Sequence, residues 1–282
     1  MSKQVEVRVS VDASRFLRKM AKVIRHMPVT YGRKISEQGV TVQEAEFEAD
    51  FADGIEPLLV GLYEAGLGSV SSQLPQDETE MVDIFVRAIT GTAAAAALLA
   101  FLRKYLLSAY NIGGGLSLLE LGIDGEFSLI DQGVIDQINA YADELLAQLI
   151  ATTANDLAAQ VKKGRDNGLG IAAILVVITD FLVLRTIHRA NVIAMNETVT
   201  GTRWGMIDAY RRNGILFVEF NTQRDGNVDN GDPLGPCVVQ DGMVFEINNI
   251  PPGARIPIHI GCRCYYKNAD TDWIMPTVIW FG

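Results

Sequence analysis

Val5, Val7, Val9 and Val11 alternate with polar residues, the two-residue period of a half-buried strand. Asp12 is placed to cap a following helix that Pro28 closes near Met27. Residues 30–75 mix strand and helix spacing, and Gly66, Gly68 and the serine-rich stretch ending at Pro75 mark a first boundary. From Asp77 the pattern is strongly helical. DETEMVDIFVRAI opens with carboxylates at the positive end of a helix dipole, and TAAAAALLAFLRKYLLSAY continues with good helix formers. The composition predicts one largely buried helix here, broken by Gly113, Gly114 and Gly115. Helical spacing returns over residues 132–163 and 171–212, separated by GRDNGLG. After Gly214, short apolar runs alternate with Asp-Gly, Asn-Gly and Pro-Pro turns, the signature of hairpins. The expected fold class is α+β: a mainly helical elongated body with a small C-terminal hairpin module. It divides into residues 1–75 (a basic arm and small α/β region), 76–184 (helical body) and 185–282 (a helix with β hairpins).

The apolar run 169–184 (LGIAAILVVITDFLVL) contains Asp180 and is shorter than the roughly 18 to 20 residues that cross hydrocarbon. It reads as a buried helix, and no membrane partner is expected. The first twenty residues lack the apolar core of a secretory signal. The chain has three cysteines, all after residue 236. An odd, late set argues against a secreted disulfide scaffold and for a reducing compartment.

Net charge is −10 over 282 residues, distributed unevenly. Residues 1–34 carry nine Lys/Arg, among them Arg15, Arg18, Lys19, Lys22, Arg25, Arg33 and Lys34, against Glu6 and Asp12. Residues 35–184 carry 22 acidic side chains against six basic. A basic arm beside an acidic body seeks either an acidic partner, such as nucleic acid or protein, or the acidic face of its own chain.

Chemistry concentrates at the C-terminus. Cys262 and Cys264 stand two apart, so on a strand their side chains share a face, and His259 lies just upstream. A hairpin can return Cys237 beside them, and three thiolates with an imidazole complete a tetrahedral zinc site. The alternative is three buried reduced cysteines with His259 bonded to backbone. Structural zinc is the one candidate cofactor. Asp225, Asn227, Asp229 and Asp232 in DGNVDNGD space oxygen ligands like a calcium loop, although a pair of tight turns accounts for the same residues. Glycine-rich phosphate loops and nucleophile motifs are missing from the sequence. Glu197, Asp225 and His259 are the acid/base set that a metal-dependent hydrolase or nuclease would use. No catalytic residues are assigned, and an assembly component is expected rather than an enzyme.

The C-terminal third resembles the phage Mu F-like minor head proteins, the head morphogenesis family. HRANVIAMNETVTGTRWGMIDAYRRNGI, a β run and IPPGARIPIHIGCRCYY follow the order of that family's motifs. The matching positions are Ile193, Ala194, Glu197, Thr198, Gly214, Ile215, Asp225, Val228, Cys237, Gly242, Pro251, Pro252, His259, Cys262, Arg263 and Cys264. AYNIGGGLSLLELGIDGEFSL is similar to the family's lead-in, so the likeness covers about residues 105–267. Asp229 stands where the family often has a further cysteine, and Ile260-Gly261 replaces its Pro-Asn before CRC. Only 18 residues follow Cys264, which leaves no room for the added enzyme domain of some relatives. The resemblance implies a minor virion protein made in the host cytoplasm, present in several copies, and carried to the portal vertex of the head. Its implied partners are the portal protein, other head proteins and, through the basic arm, viral DNA. Its implied roles are procapsid assembly, DNA packaging or ejection. A neck or tail adaptor is the structural alternative.

Overall fold

A computed structural model describes residues 42–70, 78–128, 131–222 and 235–269. The expected strand at 5–11, the helix after Asp12, the arm cations from Arg15 to Lys34 and the acidic loop with Asp225 lie outside the described residues.

Five helices carry the described body: α1 (Val42–Val70), α2 (Glu78–Ile89), α3 (Ala93–Glu120), α4 (Gln132–Asp166) and α5 (Ile171–Arg212). Over residues 42–70 the mixed signals resolve into α1, a single helix that runs through Pro57 and past Gly68. Its buried side chains Phe51, Ile55, Leu59, Leu62 and Tyr63 recur every three or four positions, as one helical face requires. The low propensity of its glycines is overridden by packing: a methyl group at Gly54 would sit 2.5 Å from the Phe101 ring, and one at Gly66 would sit 2.2 Å from Phe85.

The single helix expected from Asp77 is two. Gly91, at φ +80°, turns the chain. Thr92 then caps α3, its Oγ1 accepting from the Ala95 amide at 3.1 Å, and Leu98, Leu102 and Leu106 align beneath it. The second correction lies at the other end. The chain does not break at Gly113–Gly115; α3 continues to Glu120. Gly113 and Gly114 are buried because the backbone of α5 and the ring of Phe127 occupy the space of their missing side chains. Opposite them, a methyl at Gly205 would lie 1.8 Å from the Tyr110 carbonyl oxygen. Helices α3 and α5 therefore touch backbone to backbone, and theirs is the most extensive contact between elements.

Helix α4 and helix α5 fall where the spacing placed them, with Asp131 capping the first through Gly133. The run 169–184 forms the beginning of α5 and is only half buried. Ile174, Ile178 and Leu182 face the core, whereas Val176 is 55% exposed. By length and composition α3 is the described helix apolar enough to cross a membrane; here its apolar stripe packs against α1, α4 and α5.

Beyond Gly214 a three-stranded antiparallel sheet forms in the order β2-β1-β3, from β1 (Phe217–Asn221), β2 (Val244–Glu246) and β3 (Tyr265–Asn268). The small β module is present, but its strands are joined by long excursions rather than by tight two-residue hairpins. Val218 and Phe220 alternate onto the buried face, where they meet Met206, Tyr210, Ile256 and Tyr266 in a second core. The larger core lies among the helices, from Phe51 to Ala194. Helix α5 contributes to both and runs unbroken across residue 184, where the sequence suggested a division.

Candidate functional site

Cys237 begins a single 3-10 turn at Val238–Gln240 and is fixed from both sides. The Thr222 hydroxyl donates to its carbonyl at 2.9 Å, and the Thr222 amide donates to Asp241 Oδ1 at 2.8 Å. Gly242, the next residue, donates its amide to the Phe220 carbonyl and returns the chain to the sheet. Cys262 and Cys264 arrive on the loop before β3. Gly261, at φ +78°, makes the turn and donates its amide to Asn196 Oδ1 at 2.9 Å. Pro252 opens the other short 3-10 turn, at Pro252–Ala254.

The three sulfurs meet: all lie within 4.8 Å of one another, each residue is buried, and Cys237 Sγ is 3.8 Å from Cys262 Sγ. Thiol hydrogen bonds from Cys237, then Cys264, hold the Cys262 pKa well below its ordinary value, and the backbone amides of Ile258 and Cys264 add to this. The same bond to Cys262 pushes the Cys237 pKa up. The three thiols thus form one hydrogen-bonded group in which Cys262 is the most acidic. His259 does not join it. Its Nδ1 lies 2.9 Å from the Ile260 carbonyl oxygen, the backbone bond anticipated as the alternative to metal ligation. Among the described residues, the three cysteines form the group with metal-ligand spacing.

The alternation expected for Cys-Arg-Cys is realised. Arg263 points away from the sulfurs and pairs through one nitrogen with both carboxylate oxygens of Glu48 on α1, at 3.0 and 3.1 Å. Arg203, 2% exposed on α5, donates to the Cys264 carbonyl at 2.9 Å. Sequence reasoning singled out neither Arg203 nor Asn196, since each acts through backbone atoms of a loop more than sixty residues away.

Glu197 lies in the helical core at 6% exposure. Burial raises its pKa to about 7 against the lowering effect of a hydrogen bond from Tyr141. Tyr141 itself is raised by burial and by the Glu197 charge. Glu197 Oε2 and Thr198 Oγ1 have no hydrogen-bond partner among the described residues.

No family model, no curated protein and no solved structure matches the chain. What the site can do therefore follows from its own chemistry. The three sulfurs offer soft ligation or thiol exchange, while Glu197 offers a proton near neutrality. Asp225, the third member of the acid/base set, lies outside the described residues. Below the sheet, a cavity of about 270 Å³ opens between α5 and the module, with Arg203, Asp208, Arg211 and Arg255 on its wall.

Proposed function

We propose that the chain is a minor head protein of a tailed bacteriophage, bound at the portal and the head interior, that aids procapsid assembly, DNA packaging or ejection. The observation that carries the reading is the meeting of the two separate segments on which the resemblance to the Mu F-like family rests. The 193–198 stretch of α5 and the 259–264 loop pack together, Asn196 accepting from Gly261, and Arg203, further along the same helix, reaches Cys264. A chance likeness in two distant stretches carries no requirement that they touch; a shared module does.

The rest of the architecture suits an assembly role. Helices of 35 and 42 residues extend roughly 50 and 60 Å at 1.5 Å per residue, and they offer long faces to neighbours in a ring. The seven arm cations, Arg15 to Lys34, supply salt-sensitive phosphate contacts for DNA entering the head. The acidic body would then have to face away from that path.

Co-expression with a candidate portal protein, followed by size-exclusion chromatography with mass measurement, tests the reading. The expected result is co-elution at a fixed ratio. A monomer that ignores the portal at all concentrations rejects it.

A further inference from the structure

The β module is small for its task. Its strands have five, three and four residues, and sheets of this size are marginal without additional support. At its centre are three thiols from two separate loops, with Cys237, Cys262 and Cys264 at 0, 1 and 0% exposure. Their spacing is informative. The 3.8 Å between Cys237 Sγ and Cys262 Sγ is far beyond the roughly 2.05 Å of a disulfide. It equals the edge, about 3.8 Å, of a tetrahedron whose centre lies about 2.3 Å from each sulfur, the zinc–thiolate distance.

We propose that Cys237, Cys262 and Cys264 bind one zinc ion, with His259 closing the tetrahedron through Nε2, and that the ion fastens the 235–242 and 259–264 loops to each other. His259 stands three residues before Cys262, on the turn made by Gly261. Its Nδ1 faces the Ile260 carbonyl, and a ring that donates there presents Nε2 as its lone-pair nitrogen, the usual arrangement of a metal-binding histidine. Closing the tetrahedron requires the His259 ring to turn toward the sulfurs and give up its present bond to Ile260. Binding displaces to solvent the protons that the thiols still hold, and moves no electrons. The resulting unit carries one negative charge, and the buried Arg203 guanidinium beside Cys264 lies where it offsets that charge. The proposal is independent of the portal, so it stands or falls apart from the assembly role.

The test is metal analysis and native mass of the full chain, purified without chelator. The expected result is one zinc per chain, a fall in melting temperature when a chelator removes it, and recovery when zinc is restored. Cobalt(II) in its place gives the visible bands of a tetrahedral thiolate site. His259→Gln keeps all three thiols and is expected to weaken zinc retention roughly tenfold or more, with altered cobalt bands. A chain whose melting temperature is the same in zinc and in chelator overturns the proposal, as does a Cys237–Cys262 disulfide in the purified protein. Unchanged zinc retention in His259→Gln overturns the four-ligand site. Each readout uses a folded chain, so a cysteine variant that fails to fold decides nothing and is not needed.

Discussion

At the scale of a residue, Glu197 ties burial to pH. Its carboxyl is raised to about 7 in the fold, whereas the unfolded chain ionises it near its ordinary value of 4.5. Between those values the folded state binds the extra proton, so stability falls as pH rises through the interval and levels off above about 7. The interval between the two values corresponds to about 3 kcal/mol at most. Glu197→Gln keeps the shape and removes the charge. Denaturant titrations at pH 5 and pH 8 are expected to show the native chain losing stability across that range through this group, and the variant losing less by about 2–3 kcal/mol. Equal pH dependence in the two proteins would show that the carboxyl is not protonated in the fold. The resemblance pointed to Glu197 as a motif position, but its burial was not legible. Its hydrogen-bond partner Tyr141 comes from α4, and no local pattern reports which distant side chains surround a carboxylate.

At the scale of an element, the crossing of α3 and α5 depends on what is missing from it. Gly113 and Gly115 are two residues apart on one helix and should respond oppositely to alanine. At Gly113 a methyl would sit 1.8 Å from the Thr202 carbonyl oxygen, a backbone atom that cannot swing aside. At Gly115 nothing lies within 4 Å. Gly113→Ala is expected to destabilise by about 2–4 kcal/mol through overpacking, and Gly115→Ala to stabilise by up to about 1 kcal/mol through helix propensity; thermal or denaturant melts measure both. The same glycines explain where the sequence misled. A glycine triplet reads as a helix end by propensity alone, because propensity has no knowledge of a second helix pressed against the first. By contrast, α4 and α5 were legible nearly to their ends. The break between them carries Asn167, Gly168 and Gly170, and local chemistry suffices to stop a helix there.

At the scale of the whole molecule, two hydrophobic cores share one helix. Val199 and Met206 on α5 belong to the module's core, while Ile178 and Ala190 on the same helix belong to the body's. Melting of either core frees part of α5 and withdraws support from the other. The helix signal in far-ultraviolet circular dichroism and the exchange protection of the Phe220 amide, which is bonded to Met243, are therefore expected to disappear at the same denaturant concentration. Two separated transitions would show that the cores fold independently. The class of the fold, helices followed by a small sheet, was readable from the change of period at Gly214. The sharing of α5 was not, since a helix with apolar residues on more than one side announces burial without naming its neighbours. The three cysteines were legible as a group because Cys262 and Cys264 are adjacent on one face, and Cys237 joins them through the contacts of its turn with Thr222 at the end of β1.

The pairing of Glu48 with Arg263 joins positions 215 apart in the chain. Closing a loop of that length carries an entropy penalty of about 5 kcal/mol by the logarithmic law, more than one such pair returns. It cannot nucleate anything. On a ribosome, α1 emerges before the other described elements, and its carboxylate meets a guanidinium synthesised more than two hundred residues later. The clasp closes only after the helices between have packed and brought the ends within reach. Its contribution belongs to the downhill side of the folding barrier, where it slows the departure of the native state and leaves the speed of arrival unchanged.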